Sequence, residues 1–176
     1  MSCDSFFTAI TWFGSLYFIL PSSAILALIL LWAGRGREVL LMGMSLLATV
    51  IAAHVTKLIF RRPRPESIEL LIPIPSDWSF PSAHTAQATA FFLVVAIIAT
   101  RSLTPVWAGV CAVASALIVI GVGWSRVYLQ VHYPSDVVAG CALAVIVVTA
   151  VHLLLPCLLK VDGLENSTST PSRDGH

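Results

Sequence analysis

Five apolar stretches, each close to the length of a membrane crossing, occupy most of this 176-residue chain. A helix needs about 20 apolar residues to cross the hydrocarbon of a bilayer. The stretches run over Trp12–Ala33, Val39–Thr56 with continuation to Phe60, Thr85–Thr100, Pro105–Trp124 and Pro134–Leu159. In lipid every backbone polar group must find its partner inside the protein, so segments of this length are helices. Pro21 is expected to kink the first of them, and Pro105 suits a first helical turn. Composition agrees: 57% of residues are hydrophobic and 11% charged, against roughly 25% charged in a soluble domain. A globule of 18.9 kDa with mean hydropathy +0.90 cannot hide that much apolar surface within itself. A soluble enzyme, a disordered chain and a basic nucleic-acid binder (the net charge is only +1) are thereby excluded. The expected fold is an all-α integral membrane bundle of about five transmembrane helices.

The connections between the stretches are unequal. Gly34–Glu38 and Arg101–Thr104 are short polar turns, whereas residues 61–80 form a longer segment rich in proline and arginine. Residues 1–160 read as one membrane-embedded domain, and 161–176 as a polar, disordered tail. Residues 1–11 are either an interfacial helix presenting Phe6, Phe7 and Ile10 to the bilayer or the ragged start of the first span. Three of the four cysteines, Cys111, Cys141 and Cys157, lie in apolar runs, and Cys3 pairs with none by spacing. They read as small hydrophobes, with neither a disulfide framework nor a zinc site. The first thirty-four residues carry no Lys or Arg, so the positive region of a cleavable signal is missing and the first span is expected to stay.

Five spans place the N-terminus, the 61–83 segment and the 125–133 connection on one side of the membrane. Raw counts of basic residues tie at five per side. If Lys57, Arg64 and Arg126 are kept for chemistry, the remainder favours a cytoplasmic C-terminus with the Arg-rich segment outside.

Ionisable groups at membrane depth are costly and mark function. Here Lys57 and Arg64 bracket the exit of the second span, and Pro81-Ser82-Ala83-His84 opens the third. Ser125 and Arg126 close the fourth, and His132 with Asp136 opens the fifth. All converge on one edge of the bundle. The chemistry that suits them is phosphoryl transfer, whose transition state spreads negative charge over three equatorial oxygens. Lys57, Arg64 and Arg126 can surround those oxygens, and guanidinium forks bind two at once. The start of the third span adds free N–H groups and a helix dipole, and Ser82 a hydroxyl. That much fixed positive charge needs no divalent metal, and clustered carboxylates for a two-metal site are lacking. His132 and Asp136, four residues apart, can meet across a helix start, leaving the other imidazole nitrogen free to attack phosphorus. His84 would protonate the departing oxygen and then activate water.

These residues also resemble a known family. Lys57-Leu-Ile-Phe-Arg-Arg-Pro63-Arg64-Pro65, Pro81-Ser82-Ala83-His84, and Ser125-Arg126 followed by His132 and Asp136 resemble, in order, the three signatures of the type 2 phosphatidic acid phosphatase (PAP2) superfamily. The resemblance covers about Leu40 to Leu155. It implies a helical membrane fold and metal-independent dephosphorylation of lipid phosphates or diphosphates. It also implies His132 as phosphohistidine, His84 as acid, and phosphate binding by Lys57, Arg64, Ser82, Ala83 and Arg126. Ala83 stands where the family has Gly. That is harmless in a first helical turn and costs about 1 kcal/mol or more at positive φ.

Other polar residues carry plainer expectations. Gln87 points either to the pocket or to a neighbouring helix, and His54 and His152 are read mainly as packing or interfacial. Arg61 and Arg62 hold a second phosphate or anionic headgroups, or are solvated. Trp78, Trp124, Tyr128 and Tyr133 form an aromatic belt. Glu66, Glu69 and Asp77 keep the loop soluble. The expected protein is a bacterial inner-membrane enzyme with its site facing the periplasm or exterior and membrane lipids around it. It needs no cofactor and binds no nucleic acid. Undecaprenyl diphosphate leads the substrate expectations, before phosphatidylglycerol phosphate, phosphatidate and the phosphate of lipid A. A phosphotransferase using the same phosphohistidine and a non-catalytic lipid-binding protein are the rivals.

Overall fold

The computed structural model describes residues 3–65 and 76–168, with side chains described through Lys160. The order is α1 (Cys3–Thr11), a 3₁₀ turn (Trp12–Gly14), α2 (Leu16–Trp32), α3 (Gly36–Phe60), α4 (Ala83–Ser102), α5 (Pro105–Tyr128) and α6 (Pro134–Thr168). Helices α3, α4, α5 and the Pro134–Lys160 part of α6 are each long and apolar enough to cross a membrane. The pair Cys3–Gly14 and Leu16–Trp32, bent by 48°, qualifies as a fifth, broken span. The all-helical bundle is therefore as expected. Eight residues of the polar C-terminal segment, 161–168, continue the helix of α6, and 169–176 lie outside the described residues.

The centre of the bundle is α4, which packs on α3, α5 and α6. Its alanines Ala86, Ala88 and Ala90 are fully buried, as is Val94. Small side chains let helix backbones approach closely, which is how helices associate where lipid is as apolar as leucine. Around α4 the core collects Ile19, Leu41, Met42, Val122, Ala144 and Val148. The outer helices turn Leu28, Ile29, Leu47, Ile120 and Ile146 outward, where the bilayer covers them.

The first span departs from expectation. Helix α2 runs unbroken through Pro21, and the bend falls instead at Ser15. This residue is extended (φ −79°, ψ 142°), and its hydroxyl accepts from the Tyr17 N–H. A serine that caps the first turn restarts a helix in a new direction. Nor does α1 present all three of its large apolar residues to lipid. The Phe7 ring stacks on Tyr128 at 4.1 Å, the Tyr128 hydroxyl donates to Asp4 at 2.8 Å, and Ile10 lies against Gly121. Phe6 alone of the three remains widely exposed. Helix α1 thus folds back on α5.

Two glycines permit close approaches to the backbone of other segments. A Cβ at Gly14 would meet the His84 carbonyl oxygen at 2.7 Å, and one at Gly140 would meet the Ser82 carbonyl oxygen at 2.7 Å. Both fix neighbours against the start of α4. Gly140→Ala should therefore push α6 off α4 and cost about 1–3 kcal/mol. Gly43→Ala, with open space around it, should be neutral or stabilising by up to about 1 kcal/mol. Thermal unfolding of the two variants in detergent reads the difference, and equal midpoints would contradict this packing.

Candidate active site

One end of the bundle gathers the C-termini of α3 and α5 and the N-termini of α2, α4 and α6. Between them lies a cavity of about 270 Å³ lined by Lys57, Arg64, Asp77, Ala83, His84, Gln87, Arg126 and His132, with Ser15, Leu16 and Tyr17 from the start of α2. Six of the eight residues singled out in the sequence therefore line one space. The other two stand behind it: Ser82 is buried with its hydroxyl 3.0 Å from Thr85 Oγ1, and Asp136 lies behind His132.

Local backbone chemistry sets the spacings. Lys57 and Arg126 sit in the last turns of α3 and α5, where a cation complements the helix dipole. After α5 the chain turns through Gln130 (φ 56°), and the Arg126 carbonyl accepts from the N–H groups of Val131 and His132, each at 3.2 Å. His132 is thereby tied to the same backbone that carries Arg126. Asp136 is the third residue of α6, and its carboxylate accepts from the Tyr133 N–H at 3.0 Å. This is the acidic half of a capping box. Ala83 opens α4 and is absent from the positive-φ residues, so its methyl costs nothing.

Each cation has a defined partner. Lys57, 3% exposed, pairs with Asp77 Oδ2 at 3.0 Å and donates to the Trp78 carbonyl. Arg64 donates to the Asp77 carbonyl at 3.0 Å and the Val131 carbonyl at 2.8 Å, and pairs with the Asp77 carboxylate. Its Nη1 lies 3.3 Å from His132 Nε2. Arg126, 3% exposed, donates to Thr11 Oγ1 at 2.9 Å. Its Nε is buried with no partner among the described residues.

His132 is 4% exposed, and its Nδ1 lies 3.5 Å from Asp136 Oδ2. Burial pushes this imidazole down to about 4, and Arg126, Arg64 and Lys57 add to the effect against the Asp136 contact. The ring is therefore neutral at ordinary pH. Asp136, fully buried, also accepts from Ser79 Oγ and from Arg62 Nη1 at 2.8 Å. Burial alone would raise the Asp77 carboxyl, but Lys57 and Arg64 hold it below the usual carboxylate range.

Several of these partners differ from the sequence expectations. Asp77 is no loop-solubility residue: it sits between two site cations. Arg62 binds Asp136 and lies 4.0 Å over the Tyr133 ring, so it is neither free for headgroups nor merely solvated. Tyr128 and Tyr133 are engaged by Phe7 and Arg62, whereas Trp78 and Trp124 are exposed as a belt requires. Gln87 reaches the cavity, while His54 faces outward. Thr11 and Ser79 were not foreseen. Glu66 and Glu69 lie outside the described residues.

The PAP2 superfamily matches residues 38–158. The chain is 37% identical over 111 residues to the decaprenylphosphoryl-5-phosphoribose phosphatase of Mycobacterium tuberculosis, a match covering 62% of this chain and 56% of that protein. It is 28% identical over 133 residues to an undecaprenyl-diphosphatase of Sulfolobus acidocaldarius, covering 73% of this chain and 59% of that one. The chain thus spans little more than half the length of these curated relatives. Its fold matches the crystal structure of a transmembrane PAP2 type phosphatidylglycerolphosphate phosphatase from Bacillus subtilis. That match has a TM-score of 0.78 and 25% identity, over 97% of this chain and 79% of the other.

Two outcomes test the electrostatics. In detergent, the His132 imidazole resonance, identified by its loss in His132→Ala, should titrate near pH 4, and a midpoint at 6.5 or above would contradict its desolvation. Asp77→Asn should lower the concentration of vanadate that half-occupies the site by about three- to tenfold, because the anion no longer displaces a carboxylate.

Proposed function

The chain belongs to the PAP2 superfamily, and from that premise we propose that it dephosphorylates a lipid phosphate or diphosphate at the membrane surface through a phosphohistidine on His132. One observation carries the reading. His84 and His132 face the same cavity as Lys57, Arg64 and Arg126, at the end of an apolar bundle where a lipid's phosphate meets water.

The three cations neutralise the phosphoryl oxygens, and the first-turn N–H groups of α4 add to them. Asp136 accepts from the Nδ1–H of His132, fixing the tautomer, so Nε2, the nitrogen on the Arg64 side, carries the lone pair that attacks phosphorus. As the N–P bond forms, the bond to the lipid oxygen breaks and His84 donates its proton to that oxygen. His84 then takes a proton from water, which attacks the phosphohistidine, releasing phosphate and restoring both imidazoles. No step requires a metal ion. Asp77 moves aside from Lys57 and Arg64 as the substrate phosphate takes its place.

The site is read as facing the periplasm or exterior of a bacterial inner membrane, with the C-terminus in the cytoplasm; the basic residues that remain once Lys57, Arg64 and Arg126 are reserved for chemistry support this orientation. Residues 1–160 act as one catalytic domain.

The test is phosphate release from a panel of lipid phosphates and diphosphates, with a chelator present and no acceptor alcohol added. Turnover should persist under chelation. In His132→Ala it should fall by about 10³-fold or more, and rapid acid-free quenching of the wild type should trap a base-stable phosphoenzyme. Normal turnover in His132→Ala would defeat the mechanism.

A further inference from the structure

The phosphate-binding cations make only part of the cavity wall. The wall also includes the start of α2, through Ser15, Leu16 and Tyr17, and Gln87 on α4. A volume of about 270 Å³ is far larger than the roughly 30 Å³ of a water molecule, and leaves room beyond a single phosphoryl group.

Two independent features mark this part of the wall as an anion site. The first is the N-terminus of α2, a 17-residue helix whose positive dipole end opens on the cavity. In its first turn the Tyr17 N–H goes to Ser15 Oγ, and the Phe18 and Ile19 N–H groups go to the Ser15 carbonyl. The Leu16 N–H is left without an intrahelical acceptor. The second is Gln87, 7% exposed, whose amide has no hydrogen-bond partner among the described residues and reaches into the cavity. An amide held in the cavity wall with no protein partner is free to bind a polar group that enters. The two features are held together by Gly14, which lies so close to α4 that a Cβ there would stand 3.1 Å from His84 Cβ. Gln87 follows His84 by one turn on the same face of α4.

We propose that the α2 N-terminus and Gln87 form a second phosphate subsite, so that the substrate is a lipid diphosphate. This rests on the phosphatase reading above and narrows it. The terminal phosphate lies among Lys57, Arg64 and Arg126, and the lipid-linked phosphate is bound by Gln87 and the Leu16 N–H. His132 attacks the terminal phosphorus, and the bond to the bridging oxygen breaks. His84 protonates that oxygen, and the lipid monophosphate leaves. Leu16 and Tyr17 are exposed at this end, so the lipid chain beyond the second phosphate passes directly onto the membrane-facing surface.

The experiment measures phosphate release from farnesyl diphosphate and farnesyl monophosphate by the full-length protein in detergent, together with Gln87→Leu. The wild type should favour the diphosphate, and Gln87→Leu should lower the diphosphate-to-monophosphate ratio of kcat/KM by about tenfold or more, as expected when a site loses its polar contact to a distinguishing group. An unchanged ratio would overturn the subsite. A measurement on the wild type alone guards against a misfolded variant. Methylenediphosphonate should inhibit at a concentration at least about tenfold below that of inorganic phosphate, and equal inhibition overturns the proposal. Turnover of the monophosphate with no preference for the diphosphate defeats the subsite and leaves the phosphatase reading standing. Absence of phosphate release from both lipids defeats that reading and the subsite with it.

Discussion

Three cations drawn into the end of an apolar bundle repel one another and have lost most of their water. That arrangement persists only if an anion stands among them. In this structure the anion is Asp77, which pairs with Lys57 and Arg64. Arg126 Nε has no partner among the described residues, so the carboxylate does not meet the whole demand. A tetrahedral phosphate, with more charge and more oxygens, answers it better.

Helix direction supplies the rest. Chains that cross a membrane alternately bring N-termini and C-termini to the same surface. Here the two kinds of terminus have divided the work. The C-terminal turns of α3 and α5 carry Lys57 and Arg126, each favoured there by the dipole of its own helix. The N-termini of α2 and α4 offer N–H groups, while α6 begins with a carboxylate that both caps its helix and meets His132. Placement of charge and stability of the helices therefore point the same way.

Most of this was legible in the sequence because it is local. Span lengths follow from apolar runs, and Lys57, Arg64, His84, Arg126 and His132 stood out as charges at span ends. What escaped depends on contacts between distant segments. Asp77 looks like any acidic loop residue until folding sets it beside Lys57. Arg62 lies 74 positions from Asp136 and Ser79 lies 57 from it, and no periodicity signals such a meeting. From the sequence alone a bend in the first span points to Pro21, because proline is the stronger breaker in isolation. The helix absorbed the proline, and a serine cap made the turn.

The family match begins at residue 38, yet Thr11 holds Arg126 and Gly14 rests on His84. The reagents and part of the wall they work against thus come from distinct parts of the chain: a four-helix frame, and a leading segment packed against α3, α4 and α5. Such a division makes the leading segment an exchangeable faceplate. Different faceplates on an unaltered frame would give enzymes that share one chemistry and differ in the molecules they admit.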